Sequence, residues 1–108
     1  MKRKRIYISI PISGHDLEEV KAKARNIREW VLWDEFSLEK GWHRPDVITP
    51  FDVCPEPDKP YSYYMGKDIE ALLECDAIYL CEGWQNSKGC MAEFEVARIY
   101  GKEIIFER

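Results

Sequence analysis

Two carboxylic acids stand in this 108-residue sequence where solvated ones would not. Asp68 shares a helical face with Tyr61, Met65 and Leu72, and Glu93 shares one with Cys90, Ala97 and Tyr100. A carboxylate inside an apolar stripe costs free energy unless it is paired, hydrogen-bonded or protonated. Such positions are candidates for chemistry. The plain alternative is a structural ion pair with a neighbouring cation, Lys67 or Arg98. Glu95, set among Met91, Arg98 and Ile99, reads as solvated surface, as do Glu70 and Glu74. Two carboxyls facing one cleft suit cleavage at a sugar's anomeric carbon. One attacks or stabilises the oxocarbenium-like carbon, and the other exchanges a proton with the leaving group. Their separation in space decides between nucleophile and general base, and spacing along the chain leaves that open.

The stretch Asp76–Glu93 is organised to present one of these acids. Ala77-Ile78-Tyr79-Leu80-Cys81 is an apolar run of strand length, ended by Gly83. Gly83 and Gly89 bracket a loop holding Asn86 and Ser87, and a helical pattern then runs from about Ser87 to Tyr100. In open α/β sheets, ligands sit outside the carboxyl ends of strands. There the free N–H groups of a helix N-terminus accept anions. In the first turn or two of that helix, Glu93 is expected to be held ionised and aimed into the cleft. Ser9, Ser13, Asn86 and Ser87 are polar groups able to hold sugar hydroxyls or a phosphate. As loop residues the serines could equally be turn formers or caps.

The rest of the chain reads as the frame for these residues. Ile6–Ile10 is nearly continuously apolar, as a strand covered on both faces is. Pro11-Ile12-Ser13-Gly14 ends it, and Ser13 or Asp16 caps a helix, with Glu19 completing a capping-box pattern after Asp16. Leu17, Val20, Ala24, Ile27 and Val31 form that helix's apolar stripe. Trp30, Leu32, Trp33 and Phe36 place further apolar bulk on other sides, fitting either extra intramolecular packing or a subunit interface. Asp46–Pro50 is a second strand, followed by an irregular segment punctuated by Pro50, Pro55, Pro57 and Pro60. A helix over 61–74, the strand 76–81, the helix to Tyr100 and a last strand at 103–106 complete the pattern. Alternating strands and helices imply right-handed crossovers and a mainly parallel sheet. The expected architecture is α/β: one flavodoxin-like three-layer sandwich over residues 1–108, with strand order 2-1-3-4 and its switch point between the first and third strands.

Composition narrows the function classes. A net charge of −4 disfavours a polymeric nucleic acid as partner. There is no run of 18 apolar residues to span a membrane. The basic start, Lys2-Arg3-Lys4-Arg5, lacks the hydrophobic core of a signal peptide. Cys54, Cys75, Cys81 and Cys90 have no C-x-x-C spacing, so a metal is not expected, and no cofactor is expected either; Cys75, Cys81 and Cys90 read as small core residues, and the thiols as reduced ones of a cytoplasmic protein.

The segments Y-I-S-x-P-I-S-G, K-D-I-E-A-L-L-E-C-D-A-I-Y-L and G-W-Q-N-S-K-G-C-M-A-E-F-E-V-A together resemble the nucleoside 2-deoxyribosyltransferase superfamily. The chain looks closest to a compact branch found in bacteria and phages, and it resembles the nucleoside 5′-monophosphate N-glycosidases. The likeness covers most of the chain apart from 30–42 and the proline-rich segment. It implies a flavodoxin-like fold, an oligomer, and enzymes that cleave or transfer the N-glycosidic bonds of nucleosides or nucleotides. On this resemblance Glu93 matches the nucleophile, Asp68 the aspartate that works with the nucleobase, and Tyr7 an active-site tyrosine. Ser9, Ser13, Gly14, Asn86, Ser87 and Gly89 would hold sugar and phosphate. Ser87 stands where the nucleoside transferases have aspartate and the monophosphate hydrolases serine, and a serine there avoids repelling a phosphate. The expected substrate is therefore a nucleoside 5′-monophosphate, the alternatives being deoxyribosyl transfer or nucleotide binding without turnover. Two departures stand out. Ile10 replaces the superfamily's usual glycine, and the chain ends at Arg108, short of the C-terminal segment of the transferases.

Overall fold

The computed structural model describes residues 4–38 and 45–107, apart from the side chains at 33–38. The aromatic residues Trp33, Phe36 and Trp42 thus lie outside the described side chains. Four strands form one parallel sheet: β1 (Arg5–Ser9), β2 (Asp46–Ile48), β3 (Ala77–Leu80) and β4 (Glu103–Phe106), in the order β2-β1-β3-β4. The chain steps from β1 one way to β2, then back across β1 to β3 and onward to β4. Right-handed crossovers in opposite directions put their helices on opposite faces. Helix α1 (Leu17–Leu38) covers one face; α3 (Tyr61–Leu73) and α4 (Lys88–Ile99) cover the other.

The strands are apolar on both sides because both sides are covered. Ile6, Ile8 and Ile10 pack with Ala77, Tyr79 and Cys81 against Val20, Ala24, Ile27 and Val31 of α1. Alternation along a strand sends Tyr7 the other way, to meet Ile78, Leu80, Leu72, Cys75 and Ala97. Ile10, the residue in place of a glycine, is thus committed to the α1 face. Leu17 was expected on the α1 stripe but stays 47% exposed, so the buried stripe starts at Val20. Asp16 supplies the α1 cap, accepting from the Glu18 N–H at 3.3 Å. All four cysteines are buried and free. Trp30 is 54% exposed. Among the described residues no helix is long and apolar enough to cross a membrane.

The segment expected to be irregular opens with a short helix, α2 (Pro50–Val53), so β2 ends at Ile48 rather than Pro50. Thr49 and Asp52 form a reciprocal capping box: Thr49 Oγ1 accepts from the Asp52 N–H at 3.3 Å, and Asp52 Oδ2 accepts from the Thr49 N–H at 2.9 Å. Pro50 occupies the first helical position, where a missing N–H costs nothing. Beyond it, Tyr64 of α3 pins the proline-rich turn. Its hydroxyl donates to the Glu56 carbonyl at 2.7 Å and accepts from the Lys59 N–H at 3.0 Å.

Removing one half of the capping box tests this account of α2. Thr49→Ala should cost about 1 kcal/mol of stability. Urea unfolding should show a lower midpoint at unchanged slope, and an unaltered midpoint would mean the box contributes nothing.

Candidate active site

The sheet's switch point lies between β1 and β3, and the residues in question gather there. Tyr7 and Ser9 are two apart on β1, so both side chains leave the sheet on the face covered by α3 and α4. After β3 the chain turns through Gly83, whose φ of 90° is a left-handed conformation that suits glycine. A short 3₁₀ turn, Trp84–Asn86, follows, and Ser87 caps α4, its Oγ accepting from the Cys90 N–H at 3.2 Å. From that cap, α4 carries Glu93 back over the ends of Tyr7 and Ser9. The fully buried Ala97, one turn further on, lets the helix pack close to the sheet.

Glu93 is only 4% exposed, and both of its oxygens are occupied. Oε2 accepts from the Tyr7 hydroxyl at 2.9 Å and Oε1 from the Ser9 hydroxyl at 2.6 Å. Asp68, on the inward face of α3, is equally buried, and its Oδ1 has no hydrogen-bond partner. Among the described residues neither acid is in a salt bridge. Arg98 pairs with Glu95 at 2.7 Å, and Lys67 is exposed. The structural ion pairs that could have explained these acids are therefore absent among the described residues.

The expectation that Glu93 is simply held ionised by the helix end needs correction. Glu93 lies in the second turn of α4, beyond the reach of the terminal N–H groups, where the dipole's influence has faded. Burial dominates and pushes its carboxyl up to about 7, opposed by the Ser9 and Tyr7 hydroxyls and reinforced by the charge of Asp68. Burial also pushes Asp68 up to about 6. The two acids sense one another, so between these two steps the pair carries a single negative charge. Tyr7, whose own ionisation is pushed well above its ordinary range by burial and by the two acids, is a neutral phenol with one proton. That proton is donated to Glu93 at 2.9 Å. Asp68 also interacts with the Tyr7 hydroxyl, which partly offsets the effect of its burial. The two acids are thus linked through one tyrosine and, between their two titration steps, hold one proton between them.

The remaining candidates are less enclosed. Ser13 and Gly14, in the β1–α1 loop, and Asn86, in the 3₁₀ turn, are exposed, while Ser87 and Gly89 are half-buried at the start of α4. Three further side chains join the site that sequence reasoning did not single out for it. Cys90 lies between Ser87 and Ser9 and interacts with both. Tyr61 and Met65 close on Gly89: a Cβ there would lie 3.4 Å from Tyr61 Oη and 3.6 Å from Met65 Sδ. Their spacing relative to Asp68 on the same helix was the available signal. A surface cavity of about 420 Å³ opens at the ends of β3 and β4, lined by Leu80, Glu82, Trp84 and Phe106 among others, but neither buried acid lines it.

Residues 4–106 match the family described as a domain of unknown function, DUF4406. The chain belongs to that family. No curated protein matches it. Among solved structures, a 2-desoxiribosyltransferase from Leishmania mexicana superposes on this DUF4406 domain with a TM-score of 0.67. The two are 22% identical over 95% of this chain and 63% of the other, so the DUF4406 domain spans somewhat less than two-thirds of that protein. The likeness is one of fold, and the DUF4406 domain has the deoxyribosyltransferase-like form of the three-layer sandwich.

The site's electrostatics make a prediction about stability. Both acids have raised folded-state pKa values. Their favourable contribution is complete below the unfolded values, erodes as pH rises, and is gone above about 7. Resistance to urea should therefore fall from about pH 4.5 to about 7, Glu93 accounting for at most roughly 3 kcal/mol of the change. Glu93→Gln should make that decline shallower, and the same slope in both proteins would mean that Glu93 titrates as an exposed carboxyl.

Proposed function

We propose that this protein cleaves the N-glycosidic bond of a nucleoside 5′-monophosphate. The observation that carries the reading is the pair of buried acids, one beneath two hydroxyls and one with an unsatisfied oxygen. Glu93 attacks C1′ of the sugar as the bond from C1′ to the base nitrogen breaks. The bonding electrons leave with the base, which takes the proton of Asp68. Water then attacks C1′ of the resulting glycosyl ester, giving its proton to the Asp68 carboxylate and freeing Glu93. The net change is one water consumed, with free base and sugar 5-phosphate released. Tyr7 and Ser9 hold the Glu93 carboxylate in place between steps. Tyr7 also couples the two acids, so that loss of charge at Glu93 goes with loss of the proton from Asp68, and both are restored together.

The phosphate is assigned to the start of α4. Ser87, at the head of α4, is compatible with an anion there. The name of the solved neighbour favours a second reading, in which a second nucleobase rather than water accepts a deoxyribosyl group from Glu93. Ile10, which stands where the superfamily usually has glycine, turns its side chain into the core on the α1 face.

Incubation with purine and pyrimidine nucleoside 5′-monophosphates should release free base, detected by chromatography. Glu93→Gln should reduce release by at least about a thousandfold while the folded signal persists, the loss expected of a missing covalent nucleophile. The rate should be bell-shaped in pH, with a maximum between about 6 and 7. Below that range the pair is fully protonated and offers no carboxylate to attack; above it both acids are ionised and no proton remains to donate. Asp68→Asn should be slower and lose the alkaline limb. Full turnover by Glu93→Gln would rule out the mechanism.

A further inference from the structure

We infer that Tyr61 is a substrate-contacting residue that selects for the phosphorylated end of the substrate; this inference rests on the reading that the substrate is a nucleoside 5′-monophosphate. The sequence placed Tyr61 only on the apolar face of α3, and no role in the proposed reaction uses it. In the structure its ring leaves the first turn of α3 and reaches across to the first turn of α4. The hydroxyl stands 3.4 Å from the point a Gly89 Cβ would occupy, and Ser87 Oγ is 3.9 Å from the same point. The side chain is 58% exposed, and among the described residues no hydrogen bond to its hydroxyl is present. A hydroxyl with a free proton therefore stands beside the terminal N–H groups of α4.

The face of α3 that begins with Tyr61 continues through Met65, also against Gly89, to Asp68. Asp68 ends the row with an unpartnered carboxyl oxygen, only 6% exposed, beside Tyr7 and Glu93. The row on α4 runs alongside it: Gly89, then Glu93 one turn later, about 6 Å along the axis. Side chains lean toward a helix N-terminus, so the Glu93 carboxylate points back toward Gly89. That separation suits the distance across a furanose ring from its anomeric carbon to a phosphate on its 5′-carbon. A nucleotide with C1′ at Glu93 and its base at Asp68 thus brings the phosphate to the first turn of α4, beneath the Tyr61 hydroxyl. Tyr61 then donates to a phosphoryl oxygen, a bond that an unphosphorylated nucleoside cannot make. A Cβ at position 89 would meet Tyr61 and Met65 in ordinary van der Waals contact.

Steady-state kinetics of wild type and Tyr61→Phe, each with a nucleoside 5′-monophosphate and the matching nucleoside, provide the test. Loss of one hydrogen bond to a charged group should raise KM for the monophosphate roughly tenfold. The kcat should be retained, and kcat/KM for the nucleoside should be unchanged. A Tyr61→Phe protein that keeps the wild-type preference for the monophosphate overturns the role of Tyr61 while leaving the glycosidase reading intact. An equal loss with both substrates also overturns it, since that is the signature of a structural residue. A wild-type protein that releases base from neither substrate overturns this inference and the reading beneath it together.

Discussion

The structure turns on a buried carboxylate balanced by two hydroxyl protons. Glu93 is enclosed between α4 and the sheet, and among the described residues no cation pairs with it; Tyr7 and Ser9 satisfy it instead. Hydroxyls stabilise a carboxylate less than an ammonium or guanidinium would, so burial still raises its pKa. That leaves the group near the midpoint of its titration at neutral pH. An arginine in the same place would hold the charge more firmly.

The fold is arranged around holding that contact. Tyr7 and Ser9 can both reach Glu93 only because β1 is central and alternates, placing Ile6, Ile8 and Ile10 under α1 and the two hydroxyls under α4. The reversal of direction at β1 puts α3 and α4 on the same face, bringing Asp68 to the other side of Tyr7. A buried aspartate oxygen without a partner is unfavourable in the free protein. A ligand N–H or O–H at that position would relieve the cost.

Much of this was legible in the sequence, and the parts that were not have physical reasons. Asp68 and Glu93 stood out because their helical neighbours are apolar, while Glu95, two residues from Glu93, faces Arg98 and solvent as its own spacing indicates. Crossover handedness sufficed for the strand order. The phase of β1 was hidden, because a strand apolar on both faces does not reveal which residues point to which helix. Tyr7 was therefore legible as a site residue only through the family resemblance. Its bond to Glu93, like that of Ser9, joins residues more than 80 positions apart, and no periodicity along the strand encodes such a contact. Helix α2 was overlooked because a strand followed by prolines reads as the start of a loop, although Thr49-Pro50-x-Asp52 carries the marks of a helix start. The state of Glu93 was misjudged by giving a helix terminus weight in the second turn, where desolvation is larger.

The central claim is that the two buried acids hold one proton between them near neutral pH. Carbon-13 NMR of the side-chain carboxyls, assigned with Glu93→Gln and Asp68→Asn, measures this directly across pH 4 to 9. The account predicts two coupled transitions well above the ordinary carboxyl range. Two independent transitions near pH 4 would contradict it.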